Sequence, residues 1–302
     1  MSDRSTLIKP LARRAGQLIT VAAVIFMVLA FYRQWGDVST WRPTPLQFGL
    51  LVVLTLAYVA ALLLLAFNWA TIIRIMVSDQ LPRTTLLLSY TKTQVAKYVP
   101  GNIVHLVGRH LYLHDRGVAH RPLATASLIE LASLPLAAAV ALSLVVPMIN
   151  IDDVSSPAVG TLVWILPVAA AAVITASLFF VQKTWRAPLV AVLIRSTVFL
   201  LTQGIIFAVI LAAVAGQFVT LSIPMAILAW LIGFLTPGAP GGIAVREAVL
   251  VSMLDYTGMN EGVLLAAVLM RLVTTAGDFV LFCFGNLLLT RSTVDTGRTF
   301  DG

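Results

Sequence analysis

Long apolar runs alternate along the chain with short polar interruptions. Runs near 15–32, 46–73, 122–146, 158–181, 188–215 and 262–289 approach or exceed the roughly 20 residues that a helix needs to cross a bilayer. They are long and unbroken, unlike the short alternating segments of a spanning barrel. The pattern predicts an all-α polytopic membrane protein with about six transmembrane helices. Two more apolar segments are interrupted. Segment 83–114 breaks at Pro100-Gly101, and segment 221–257 breaks at Pro237-Gly238 and again at Pro240-Gly241-Gly242. Proline removes a backbone donor and clashes with the preceding turn. Irregular backbone at membrane depth survives only where protein buries it or where it lines a wet cavity. Each interrupted segment therefore reads as a re-entrant hairpin of two half-helices. Full crossing by both, giving eight spans, is the alternative.

The order span, span, hairpin, span occurs twice, over 15–146 and over 158–290. Pro100 and Pro237 lie 137 residues apart, and in each copy an arginine follows nine residues later, Arg109 and Arg246. An odd number of crossings per copy inverts the second. The expectation is a single integral membrane domain, 1–302, built from two inverted-topology repeats. In transporters of that design, interrupted helices at matching positions mark the substrate site.

Composition supports the membrane reading and excludes others. The chain is 59% hydrophobic and 11% charged, with a mean hydropathy of +0.96, whereas soluble domains carry about 25% charged residues. The net charge of +7 does not indicate a nucleic-acid partner. Fifteen of the 20 Lys and Arg fall in the N-terminus, 71–121, 183–186 and the tail. By the positive-inside rule, both termini are cytoplasmic in a multi-pass protein of the cell (inner) membrane. The first hairpin then dips in from the cytoplasm and the second from outside. A basic N-terminus before an apolar run resembles a signal peptide, but no A-x-A-like site follows, so the run is read as an uncleaved span. The one cysteine, Cys283, allows no internal disulfide and no cysteine-based metal site.

The two breaks concentrate the chemistry. Half-helix N-termini after Gly101 and Gly242 offer unpaired N–H groups and partial positive charge to an anion, and glycine lets it approach closely. Lys97, Tyr98, Pro100, Gly101, Asn102 and Arg109 form the first candidate surface; Pro240, Gly241, Gly242, Arg246 and Glu247 form the second. Arginine at either place could grip a phosphate bidentately or pair with a buried acid. The same groups could instead cap the hairpins or snorkel. Three charges lie inside spans: Glu130, Arg271 and Asp278. Such residues usually face a wet interior or a partner. The expected pairs are Glu130 with Arg246 or Arg271, and Asp278 with Arg109. These charges line a path for a headgroup, or they are static pairs that fix helix packing. Arg195, near a span end, is expected to snorkel.

His105, His110, His114 and His120 share one stretch. His110 and His114 have a spacing that can hold a metal, but the flanks are basic and no H-E-x-x-H is present. A solvated surface is the simpler reading, with no metal and no cofactor. There is no P-loop and no G-x-S-x-G, so no catalytic residue is assigned and the chain is not read as an enzyme.

The stretch K-Y-V-P-G-N with its downstream Arg109, and P-G-G with Arg246-Glu247, resemble the motifs of the flippase-like family typified by the transmembrane domain of lysylphosphatidylglycerol synthases. Ala244 stands where that family commonly has glycine. The resemblance covers nearly the whole chain. It implies a lipid flippase or transporter moving a phospholipid or polyprenyl-phosphate-linked lipid with a polar headgroup between leaflets. Membrane lipids would be its partners, with a separate lipid-modifying or glycosyltransferase enzyme as a further one. Relatives that synthesise the aminoacyl lipid carry a large soluble transferase domain. Because this chain ends soon after its last span, it is not expected to catalyse that transfer. The alternatives are a membrane-embedded transferase acting on a lipid carrier and a non-catalytic partner of such an enzyme. With no ATPase motif, movement is passive or ion-coupled, and Asp278 and Glu130 are the acids through which protons would couple. Headgroup, direction and oligomeric state are left open.

Overall fold

The structure is a computed structural model. It describes residues 25, 41–77, 81–99, 103–145, 165, 169, 171–173, 176, 181–236, 242, 245–254 and 260–289. Expected spans 15–32 and 158–181 fall almost wholly outside these residues. So do Pro100, Gly101, Asn102 and 237–241. The described chain is helical: α1 (Pro45–Val77), α2 (Arg83–Thr93) running into a 3-10 turn (Gln94–Tyr98), α3 (Val104–His114), α4 (His120–Val145), α5 (Lys183–Ala215), α6 (Ser222–Leu235), α7 (Val245–Leu254) and α8 (Asn260–Phe284). A single π turn, Gly285–Leu289, ends α8.

Local chemistry sets the helix ends. Thr44 and Gln47 form a reciprocal capping box around Pro45: the Gln47 amide N–H donates to Thr44 Oγ1, and the Thr44 N–H donates to Gln47 Oε1. Proline in the first turn loses no helical bond. α5 stops at Gly216, whose φ of 75° is left-handed and lets its N–H close on Ala212. α5 begins at Lys183 rather than near Pro188. The helix carries that proline in its second turn, at the loss of one backbone bond.

Four helices, α1, α4, α5 and α8 with its π turn, are long and apolar enough to cross a membrane, and the protein is an α-helical membrane protein by that measure. They match four of the six expected spans. Large apolar side chains face outward on them, among them Leu46, Phe48, Leu128 and Ile194. Water would penalise that surface and lipid does not. Inside, small residues such as Ala137, Ala138, Ala141 and Ala266 are fully buried and let backbones approach. The short helices run 11, 11, 14 and 10 residues, each below the roughly 20 residues of a crossing.

The order long, short, short, long occurs twice. First residues 45 and 183, 83 and 222, 104 and 245, and 120 and 260 differ by 138, 139, 141 and 140. α1 packs against α5, and every other major contact has a counterpart when the halves are exchanged: α4–α5 with α8–α1, α4–α6 with α8–α2, α1–α4 with α5–α8. α1 and α5 run antiparallel. Gln47, at the start of α1, donates to Ala213 O near the end of α5 at 2.8 Å. Asn68, late in α1, donates to Val192 O and Ser196 Oγ early in α5. Arg195, expected to snorkel, turns instead to α1. Its Nη1 donates to Asn68 Oδ1 and Thr71 Oγ1, at 3.3 and 3.0 Å, because the α1–α5 seam supplies acceptors within its reach.

Candidate functional site

Both interrupted segments open onto one cavity of about 140 Å3, walled by the long helices. Lys97, Tyr98 and Arg109 come from the first segment; Arg246 and Glu247 come from the second; Glu130 and Arg271 come from α4 and α8. Of the remaining candidates, Gly242 is buried behind Arg246, and Asp278, fully buried, sits behind Lys97 and Tyr98.

Three ion pairs account for all three acids. Asp278 accepts from Lys97 Nζ at 2.6 Å, from Tyr98 OH at 2.6 Å and from Tyr58 OH at 3.3 Å. Arg109 donates from Nη1 to both Glu130 oxygens at 2.7 and 2.9 Å, and from Nη2 to Gln94 at 3.0 Å. Its guanidinium also stacks 3.7 Å over the Tyr90 ring, a cation–π contact strengthened by desolvation. Arg271 donates from Nε to Glu247 Oε1 at 2.6 Å, and from Nη2 to Gly242 O at 3.3 Å.

These partners correct the sequence expectation. Asp278 takes Lys97, not Arg109, and Glu130 takes Arg109, not Arg246 or Arg271. The charged residues were rightly singled out, but pairing depends on how each helix is rotated. Arg109 lines the cavity while engaged by Glu130, Gln94 and Tyr90 at 1% exposure, and its Nε has no hydrogen-bond partner.

Arg246 differs from the other cations. Among the described residues it has no ion pair and no hydrogen-bond partner, and its Nε, like that of Arg109, is a buried donor left unsatisfied. Its guanidinium lies 5.4 Å from the Trp230 ring. Its stem passes between two glycines. A Cβ on Gly233 would lie 2.7 Å from Arg246 Cγ, and one on Gly242 would lie 2.7 Å from its Nε. Gly242 also has a φ of 73°, which side chains other than glycine rarely adopt. Glu247 Oε2 beside it is likewise buried without a partner.

The sequence reading missed several lining residues: Tyr58, Gln94, His105, Gln203 and Trp230. A polar or aromatic residue inside an apolar span, as at Tyr58 and Gln203, was the available signal. His105 separates from the other histidines and faces the cavity. His110 and His120 meet at 2.7 Å between ring nitrogens, and His114 stacks on His120 at 3.8 Å. Among the described residues no three His, Cys, Asp or Glu side chains are grouped to hold a metal.

Compared with protein-family models, curated proteins and solved structures, the chain matches none.

Proposed function

We propose that the chain is a lipid flippase that moves a lipid with a polar headgroup between the leaflets of the cell membrane. It would work without catalysis, as six spans and two re-entrant hairpins in inverted repeats, with both termini cytoplasmic. The observation that carries this reading is the cavity shared by both interrupted segments, which places charged and polar side chains among apolar ones inside a body whose outer face is apolar. A headgroup crossing hydrocarbon needs such a polar enclosure, because unpaired polar groups in lipid cost several kcal/mol each. The antiparallel α1 and α5, together with the mirrored helix order, support the inverted arrangement that alternating access uses. The resemblance to the flippase-like family supports the same class.

The test is reconstitution of the purified chain in liposomes carrying fluorescent phospholipids or polyprenyl phosphates, with leaflet exchange followed by external quenching. Movement of at least one lipid above the protein-free rate is expected. Protein-free rates for every headgroup would refute the proposal. A covalently altered lipid would instead identify a transferase.

A further inference from the structure

The cavity charges do not balance. Lys97, Arg109 and Arg271 are matched by Asp278, Glu130 and Glu247, which leaves Arg246 as the one uncompensated cation of this constellation among the described residues. An unpaired charge is costly to bury, and here the fold holds it in place. Gly233 and Gly242 form a slot in which any side chain larger than glycine would collide with Arg246, while Trp230 lies beside the guanidinium. The unsatisfied Nε leaves a donor for one more acceptor.

We infer that this site takes a single monoanionic phosphodiester, gripped by Arg246 alone. This rests on the lipid-transport reading and narrows its substrate class. A guanidinium fork suits two oxygens of one phosphate. One negative charge neutralises the site. A phosphate monoester, carrying close to two, brings one charge without a partner. A zwitterion brings a cation into a site whose acids are already paired. Trp230 and Phe234, stacked 5.2 Å apart, and Phe199, edge-on to Trp230, give an apolar wall beside the arginine, where the first carbons of attached chains would lie.

The test measures equilibrium binding to the full chain in detergent at about pH 8, where a monoester is mostly dianionic. The probes are dihexanoyl-phosphatidylglycerol, dihexanoyl-phosphatidic acid, dihexanoyl-phosphatidylcholine and the tail-less diester glycerophosphoglycerol. Phosphatidylglycerol is expected to bind about tenfold more tightly than the dianionic and zwitterionic lipids. Arg246→Gln removes that preference, lowering phosphatidylglycerol affinity to the level of the other lipids. Arg246→Lys keeps the charge preference at lower affinity. Glu247→Gln frees Arg271 and turns the preference toward phosphatidic acid, a switch that general loosening of the fold cannot produce. Wild-type preference for either other lipid, or an Arg246→Gln variant that keeps its selectivity, overturns the inference while leaving lipid transport standing. Glycerophosphoglycerol binding as tightly as the lipid keeps the monoanion site and sinks the lipid reading instead.

Discussion

Replacing Glu130 with alanine tests how the Arg109 cation is held. The pair is nearly dry, at 1% and 12% side-chain exposure. The carboxylate accepts two hydrogen bonds from Nη1, so its loss leaves a largely buried guanidinium with only Gln94 and the Tyr90 ring. Removing one partner of a buried pair costs about 3–5 kcal/mol. Glutamine keeps one acceptor oxygen and loses chiefly the charge assistance, worth about 1–2 kcal/mol. Removing both charges, as Arg109→Met with Glu130→Leu, recovers most of the loss, because an apolar pair of similar volume no longer strands a charge. Equilibrium unfolding in mixed micelles ranks the three. Liposome transport by the double variant is expected to persist, since Arg109 is engaged by Glu130, Gln94 and Tyr90. The reasoning fails if Glu130→Ala costs under about 1 kcal/mol, or if the double variant is no more stable than that single one.

At Asp278 the two tyrosines differ. Tyr98→Phe deletes a 2.6 Å bond and Tyr58→Phe a 3.3 Å one, so Tyr98→Phe costs about 1.5–3 kcal/mol and Tyr58→Phe less; the reverse order in unfolding experiments contradicts this geometry. Gly233→Ala puts a methyl into the Arg246 stem. Overpacking of this kind costs about 1–3 kcal/mol and should displace Arg246, weakening anionic-lipid binding; unchanged binding would show that the slot is not needed. Burial, followed by the rings of His120 and His114, holds His110 below its ordinary value. The unfolded chain then takes up the proton first as pH falls through about 6.5, so this ring contributes stability above that pH and loses it on further acidification. His110→Gln is expected to flatten that part of the melting-temperature profile, and an unaltered profile speaks against the coupling.

The four long helices were legible because about 20 consecutive apolar residues have few alternatives to spanning, and the breaks were legible because proline and glycine act locally. Pairing was not. α1, α4 and α5 are apolar around most of their circumference, so no amphipathic stripe tells which face looks inward. Without that rotation, Asp278 could be placed on the same helix as Arg271 but not assigned to Lys97. Arg109 and Arg246 occupy equivalent places in the pattern and look interchangeable on paper. What separates them is three-dimensional: Glu130 and Gln94 converge on one, while two glycines clear a slot for the other. In the sequence Trp230 is one more apolar residue of α6, and its place beside Arg246 depends on how α6 and α7 pack.

The Lys97–Asp278 link also bears on biogenesis. Tyr98, next to that lysine, precedes Asp278 by 180 residues. At about 5–20 residues per second of synthesis, the first hairpin waits roughly 10–40 s for the helix that neutralises it. Throughout that interval the nascent chain holds a lysine with no counter-charge at the break. A product truncated before α8 keeps that defect permanently, and membrane quality control would meet it as a persistent unpaired cation. Completing the last helix therefore supplies the charge that balances the first half of the chain.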